Sequence, residues 1–359
     1  MIAALRFDNQ ITCMPLSFLD ASPSIAVIVV AAVAFAACTL ILQTLVRTGL
    51  AWCLATDIPN ERSLHERPTP RVGGWGIVPV AVIAILATAP SMWLVATCAV
   101  LLAAVSQIDD RRGLPARVRF AAHLVAVVIV AHPAHVPWWA LAVVGFLMLW
   151  LVNLYNFMDG SDGLAGGMAL IGFGGYAIAA LAGPASDLPL GLASAGIAGA
   201  AAGFLTLNFH PARIFLGDAG SIPLGFLAGA LGYWGWQRGV WPVWFPALVF
   251  SPFIGDASVT LLRRLACGEK FWQAHREHYY QRMVRLGMGH ARTAVVWYLL
   301  MLAGIILANW ALRFSFMGQW IAVAGWAAVV VAAGAAVDVH WRRHETRHPE
   351  HPEQYEGPC

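Results

Sequence analysis

Long apolar runs separated by short polar loops restrict the fold of this sequence more than any other feature. The first run, from about Ser22 to Val46, is long enough to cross a hydrocarbon layer of about 30 Å. Ten more follow, at 73–89, 91–106, 119–131, 138–154, 164–182, 189–207, 221–236, 242–262, 293–312 and 319–338. Such segments must satisfy their backbone polar groups internally, which favours helices. We predict an all-α, polytopic integral membrane protein with about eleven transmembrane helices.

The composition excludes the soluble classes of protein. Hydrophobic residues make up 59% of the chain and charged residues only 11%, which leaves little polar surface for a globular domain in water. The six cysteines are scattered and form no CxxC pair. We interpret them as small hydrophobic residues rather than as a disulfide or zinc framework.

The basic residues indicate an orientation. If the N-terminus lies outside, the outside loops keep only Arg6, Arg238 and Arg313, and the other basic residues lie inside. The same alternation places the motif-rich loops on the cytoplasmic side, at 47–72, 107–119, 154–164, 208–220 and 263–292. We therefore predict a multi-pass membrane protein whose motif-rich loops face the cytoplasm.

Three regions follow from this topology. Residues 1–21 form a short periplasmic lead, and residues 22–340 form a single transmembrane catalytic domain. Residues 341–359 form a cytoplasmic tail that is rich in His, Pro and Glu, and we expect this tail to be disordered.

Four polar side chains interrupt the apolar pattern between 153 and 167. Asn153, Asn156, Asp159 and Asp162 are spaced by three residues, so a continued helix would bring them to one face. Charged groups beside hydrocarbon are costly unless they bind something. Oxygen-bearing groups on one face suit a hydrated divalent cation or a sugar nucleotide. A plain polar turn is the alternative, but a turn needs neither the carboxylates nor the amides in register.

Two further loops carry carboxylates. The adjacent pair Asp109 and Asp110 should either bind a cation or include one member whose raised pKa suits it to accept a proton, although pairing with the following arginines is the simpler alternative. Asp218 is flanked by glycines and is free to reach a metal ion. Phe215 offers a flat face for a nucleobase, although a lone phenylalanine more often packs in a core.

Two loops are rich in basic groups. Arg71 stands before the pair Gly73 and Gly74, where it could hold phosphate oxygens or simply obey the positive-inside rule. His275 and His278 have helical spacing, but no third zinc ligand lies beside them, so we favour cationic contacts to a diphosphate.

Together these motifs resemble one membrane enzyme family. The segments 70–74, 109–110, 156–165, 215–221 and 275–278 look like the polyprenyl-phosphate N-acetylhexosamine-1-phosphate transferases, glycosyltransferase family 4, which includes the MraY and WecA enzymes. The match runs from about residue 60 to 290 in the family's order. It is closest to the branch that initiates O-antigen or exopolysaccharide synthesis, and the triple-histidine loop of the MraY branch is absent.

The resemblance implies a reaction and its partners. A UDP-N-acetylhexosamine would transfer its sugar 1-phosphate to undecaprenyl phosphate with release of UMP, using Mg²⁺ or Mn²⁺. Family precedent also suggests a homodimer, and we expect no nucleic-acid partner.

The resemblance also implies residue roles. Asp218 matches a metal ligand, Asp159 matches a second acidic position near the metal, and Asp109 with Asp110 match the doublet at the lipid phosphate. The nucleotide side would comprise Asn156, Asp162, Asn208 and Phe215, and the diphosphate and sugar side His275, Arg276, His278 and Arg282. The residues that select the sugar are not separable in the sequence.

Two other function classes use similar residues. A lipid-diphosphate hydrolase would also need metal-binding carboxylates and arginines, but it would leave the aromatic face of Phe215 without a role. A secondary transporter would place its acids near the membrane midplane, whereas these lie at the ends of the predicted spans.

Overall fold

The computed structural model describes residues 23–59, 67–131, 137–269 and 275–347, and these residues are almost entirely helical. The helices are α1 (Pro23–Arg47), α2 (Leu50–Leu54), α3 (Gly73–Thr88), α4 (Trp93–Arg112), α5 (Ala116–Ala131), α6 (Trp138–Phe157), α7 (Leu164–Ala182), α8 (Leu188–Asn208), α9 (Asp218–Gln237), α10 (Trp244–Val249), α11 (Ser251–Ala266), α12 (Tyr279–Met283), α13 (Gly289–Ala311) and α14 (Phe316–Arg347).

This architecture confirms an all-α, polytopic membrane protein. Seven helical segments within the described part of the chain are long and apolar enough to cross a membrane, and they contain α1, α4, α6, α7, α8, α13 and α14. The four other predicted runs are also helical, as α3, α5, α9 and the broken pair α10 and α11. These helices are shorter or less apolar than the seven.

Helix α8 lies at the centre of the bundle and packs against α1, α3 and α7. It is rich in Gly and Ala, which lets helix backbones approach closely in a membrane. A Cβ atom at Gly203 would lie 2.6 Å from the carbonyl oxygen of Phe35 in α1, so a larger residue there would separate the two helices.

Helix α9 positions the polar end of the bundle, because it contacts α3, α4 and α6 together. Near the N-terminus of α9, the carbonyl carbon of Ala219 would lie 2.5 Å from a Cβ atom built on Gly74 of α3. The start of α3 therefore abuts the start of α9, beside the ends of α4 and α6.

A small amount of β structure occurs where the sequence predicts only loop. Strand β1 (Thr56–Asp57) pairs antiparallel with β2 (Thr69–Pro70). Arg71 then forms a parallel bridge with Phe215, whose carbonyl oxygen accepts hydrogen bonds from the Val72 and Gly73 amides at 3.1 and 2.9 Å. These bonds fasten the first polar loop to the fourth.

The C-terminal boundary differs from the prediction. Helix α14 continues to Arg347, so the expectation of disorder was wrong for residues 341–347, where the helical backbone bonds continue beyond the apolar run. The predicted lead at 1–21 and the rest of the tail lie outside the described residues.

Candidate active site

A polar cavity of about 320 Å³ opens at one end of the bundle, and four of the five predicted loops line it, while the loop at 107–119 lies beside it. Its lining residues are Asp57, Arg71, Asn156, Asp159, Gly160, Ser161, Asp162, Asn208, Phe215, Gly217, Asp218, Gln281 and His290. The predicted carboxylates and the nucleotide-side residues thus come together, with Asp109 and Asp110 beside them.

Three carboxylates form the centre of this site. Asp159 follows the end of α6, Asp218 begins α9, and Asp110 lies near the end of α4. Burial raises the pKa of Asp159 well above its usual range, and the negative charge of Asp218 raises it further. The amide of Gly217, at a φ of 73° that favours glycine, donates to Asp159 and opposes this shift. These surroundings therefore disfavour the charged form of Asp159, and a bound cation would favour it.

Arg71 is the principal counter-charge of this cluster. Its Nη2 donates to Asp57 Oδ1 at 2.7 Å, and its Nη1 lies 3.8 Å from Asp110 Oδ1. The bridge to Phe215 holds the Arg71 backbone in place. Its guanidinium lines the cavity, where it can reach anionic oxygens of a ligand.

The two members of the acidic doublet have different surroundings. Asp109 accepts hydrogen bonds from the Leu114 amide at 2.6 Å and from Arg119 Nη1 at 2.9 Å. The buried Oδ2 of Asp110 has no hydrogen-bond partner among the described residues. A Cβ atom built on Gly217 would lie 3.7 Å from this oxygen, so Asp110 borders the cluster while Asp109 is paired within its own loop.

The residues predicted to hold the nucleotide form one wall of the cavity. Asn156 accepts a hydrogen bond from Ser221 Oγ at 2.8 Å and also hydrogen-bonds Asp218. Asn208 accepts from the Gly163 amide and donates to the Ile214 carbonyl oxygen. Asp162 holds His210 through a 2.6 Å contact between Oδ2 and Nδ1. Asn156, Asn208 and Asp162 therefore also brace the loops that carry them.

The helical-face argument for the 153–162 stretch was only partly correct. Helix α6 ends at Phe157, before the two aspartates. Asn156, Asp159 and Asp162 line the cavity, whereas Asn153 Nδ2 donates to the Leu149 carbonyl oxygen within α6.

The segment from His275 to Arg282 has a different environment, since none of the four side chains predicted there lines the cavity. His278 contacts the buried carboxylate of Asp256 through Nδ1 at 3.1 Å, and Arg282 pairs with Asp338 at 2.9 Å. Other side chains of this segment reach the site instead, because Gln281 lines the cavity and the Tyr280 hydroxyl donates to the Phe157 carbonyl oxygen at 3.1 Å.

The charge expected on His275 is absent at neutral pH. Burial lowers the pKa of His275 to about 3, and the neighbouring His278, Arg264 and Arg282 add to the effect. A neutral imidazole cannot supply a cationic contact to a diphosphate, so that part of the prediction lacks support. Arg276 is partly buried and lies away from the cavity lining.

The donor set fits a Mg²⁺ ion only in part. Within the described ranges, no three His, Cys, Asp or Glu side chains are grouped as a metal cage. However, Mg²⁺ commonly takes one or two carboxylates and completes its octahedral shell with water and substrate phosphates. Asp159 and Asp218 could supply these two carboxylates.

Comparison with known proteins decides the family. Residues 92–235 match the model described as "Glycosyl transferase family 4". A Bacillus subtilis protein named "Probable undecaprenyl-phosphate N-acetylglucosaminyl 1-phosphate transferase" is 30% identical over 290 residues, covering 75% of this chain and 80% of that protein. The chain belongs to glycosyl transferase family 4.

Other family 4 relatives extend this similarity. The Mycobacterium tuberculosis decaprenyl-phosphate N-acetylglucosaminephosphotransferase is 29% identical over 335 residues, covering 79% of this chain and 81% of its own. A Bacillus pumilus phospho-N-acetylmuramoyl-pentapeptide-transferase is 43% identical, but only over 88 residues, or 24% and 26% of the two chains. The long matches are to the N-acetylglucosamine 1-phosphate enzymes.

This family 4 chain contains site residues that sequence reasoning missed. The Nδ1 atom of His290 hydrogen-bonds Ser161 Oγ at 2.9 Å, and the His290 ring stacks on His210 with centroids 5.3 Å apart. Asp57 and Gln281 also line the cavity. Arg71 was noted as a phosphate contact but left out of the predicted site. The glycines before His290 were the one local signal that this histidine lies at a loop end near the site.

Proposed function

We propose that this protein transfers N-acetylhexosamine 1-phosphate from a UDP-sugar to undecaprenyl phosphate, forming the diphosphate-linked sugar and UMP. The observation that carries the proposal is the convergence of Asp110, Asp159, Asp218 and Arg71 at a cavity on one end of a membrane bundle. The basic loops support an eleven-span topology with this end in the cytoplasm of a bacterial inner membrane.

An apolar groove supports a lipid substrate. It lies between α6, α9 and the α10 and α11 pair, with a volume of about 160 Å³, and its walls include Trp150, Leu154 and Tyr233. Leu154 lies one helical turn before the end of α6, next to the polar cavity. A polyprenyl chain in this groove would present its phosphate near Asp110.

A divalent cation would be held by Asp218 and Asp159. When bound, Mg²⁺ or Mn²⁺ supplies positive charge that neutralises the diphosphate. The protein's own contribution is positional: Arg71 binds diphosphate oxygens, and Asn156 holds Asp218 in place.

The transfer is a direct displacement at phosphorus. An oxygen of the polyprenyl phosphate forms a bond to the phosphorus that carries the sugar, and the bond from that phosphorus to the bridging oxygen of UMP breaks. Asp110 orients the attacking phosphate or accepts its proton. Asp109 is less suited to this role because Arg119 and the Leu114 amide already occupy its two oxygens.

The nucleotide would lie along the wall that contains Phe215 and Asn208. Phe215 lines the cavity with its backbone fixed by the Pro70 and Val72 bonds, so its ring is a preorganised surface for uracil. This arrangement favours transfer from a UDP-sugar over simple lipid-diphosphate hydrolysis.

The test is UMP release by the purified protein from a panel of UDP-sugars and a short polyprenyl phosphate. We expect UMP release that requires both substrates and Mg²⁺. The names of the relatives make UDP-N-acetylglucosamine the first sugar to test, followed by the GalNAc, FucNAc and QuiNAc derivatives. Release of inorganic phosphate from a lipid diphosphate without any UDP-sugar would instead establish a hydrolase.

The pathway and assembly are further proposals. The product would initiate a cell-surface polysaccharide such as an O-antigen, which a knockout strain would reveal by loss of that polymer. The homodimer suggested by the family resemblance stays a prediction, and mass measurement in nanodiscs would test it.

A further inference from the structure

A second cavity lies on the same face of the bundle as the cleft, between the short π-helical segment Val284–Met288 and the end of α14. Its volume is about 550 Å³. Met283, Leu286 and Met288 form an apolar floor. The cavity is separate from the catalytic cleft, because the two share no lining residue.

The wall formed by α14 is basic. The side chains on this wall are spaced by three or four residues, which places them on one helix face: His340, Arg343, His344 and Arg347. Arg342 and Glu345 belong to the same helix but do not line the cavity. The basic groups are therefore concentrated on the cavity side.

Two acidic side chains lie on this part of α14: Glu345 does not line the cavity, and Asp338 is already neutralised. Asp338 pairs with Arg263 at 2.8 Å and with Arg282 at 2.9 Å, and it accepts a hydrogen bond from the Tyr279 hydroxyl at 3.0 Å. Its charge does not offset the basic wall.

A cation–π contact fixes the distance between the segment Val284–Met288 and helix α14. The Arg285 guanidinium lies 4.7 Å from the ring centroid of Trp341, and Trp341 is buried. The cavity is therefore held between two anchored elements.

The depth of the cavity matches the headgroup region. Helix α14 has 32 residues, and about 20 of them suffice to cross the hydrocarbon core of about 30 Å. Counted from Phe316, that length ends near residue 335, and the cavity begins with Ala336 and Val337. Only 6% of the apolar window of α14 is buried inside the protein, so this helix lies on the outside of the bundle.

We propose that this cavity binds the phosphate headgroup of an anionic phospholipid from the surrounding leaflet. Arg343 and Arg347 contact the phosphate, and the first acyl carbons lie on Leu286 and Met288. A cationic rim above an apolar floor complements such an amphiphile. Binding of an anionic lipid at this site would be coupled to the segment Val284–Met288, which leads into the His290 side of the cleft.

The test uses the full-length protein in phosphatidylcholine nanodiscs into which phosphatidylglycerol is titrated. Bound phosphatidylglycerol is counted by native mass spectrometry after release into detergent. The double variant Arg343→Gln with Arg347→Gln should retain phosphatidylglycerol more weakly, by about fivefold for each arginine removed. Arg342→Gln, which removes one positive charge from the same end of α14 outside the cavity, should bind like the wild type.

Three outcomes overturn the proposal. If Arg342→Gln lost as much bound phosphatidylglycerol as the double variant, the binding would be diffuse attraction to a basic surface. If the double variant retained all of its bound phosphatidylglycerol, the cavity would not be the binding site. Displacement of phosphatidylglycerol by polyprenyl phosphate would make it a substrate site instead. Unfolding temperature and UMP release in pure phosphatidylcholine should match the wild type for every variant, so a failed lipid site remains distinguishable from a failed transferase.

Discussion

The cleft and the segment from His275 to Arg282 are both rich in charge, but they use it differently. In the cleft, the negative charge of Asp218 helps to raise the pKa of Asp159, and an oxygen of Asp110 lacks a hydrogen-bond partner among the described residues. In the segment, the buried Asp256 accepts from the Tyr279 and Tyr280 amides at 2.9 and 3.0 Å and contacts His278.

This difference separates the site from its scaffold. Uncompensated carboxylates cost stability and are tolerated where a ligand neutralises them, whereas fully bonded carboxylates hold structure. We therefore expect substitutions in the cleft to reduce catalysis and substitutions in the segment to reduce stability.

The largest effect should follow Asp218→Asn. It removes charge at the proposed metal site without changing the size of the side chain, and UMP release should fall by about a thousandfold, the upper range for losing one electrostatic group. The matched control is Asp187→Asn, because Asp187 pairs with Arg238 and caps the N-terminus of α8 instead. A folded Asp218→Asn protein with full Mg²⁺-dependent activity would remove Asp218 from the metal site.

The next effect is on folding, through Asp256→Asn. An amide can accept with only one atom, so one of the two tyrosine amides loses its partner at a cost of about 2 kcal/mol in the free energy of unfolding. Thermal unfolding in nanodiscs should show this loss, while the folded fraction keeps its kcat. Glu345→Gln is the control. Unchanged stability with a lost kcat would make the segment part of the catalytic machinery.

Arg71→Ala should give a smaller loss of activity, about tenfold, because the Arg71 side chain is partly exposed and is not the only group at the diphosphate. Arg112→Ala removes the same charge from an exposed position and should leave activity unchanged. The measurement that separates Arg71→Ala from Arg112→Ala is the KM for the UDP-sugar. If both variants lose activity equally, Arg71 acts only through the overall charge of this face.

The last effect is small at neutral pH and appears only in acid. The pKa of His275 is lowered from 6.5 to about 3 by burial, so the unfolded chain takes up a proton at a higher pH than the folded protein. Stability is therefore lost as the pH falls below 6.5 towards 3. His275→Gln should flatten the decline in unfolding temperature over this window. An unchanged decline would assign the acid sensitivity to other groups.

Much of the fold could be predicted, because each apolar run is locally sufficient to form a helix. The strand pairing of Thr56 with Pro70 could not, since two-residue strands depend on partners distant in sequence. The helical extension to Arg347 was missed because polar composition was interpreted as disorder.

The candidate site was predictable where the chemistry of a polar side chain stands out from an apolar chain, as at Asn156, Asp159 and Asp218, which all line the cavity. It was not predictable where a charged residue has a partner far along the chain. Nothing in the sequence around Arg282 shows that Asp338 pairs with it, so an internal ion pair and a ligand contact look identical. His290 was missed because its contact with Ser161 spans 129 positions.

The contact between Ser161 and His290 also bears on biogenesis. A chain that has inserted through α9 already contains Arg71, Asp159 and Asp218, but Tyr280 and His290 have not yet been synthesised. The acidic cluster therefore exists in the membrane before its last wall is in place. Completion of the cleft is consequently a late event of synthesis, and chains truncated before α13 would present these charges without an assembled site.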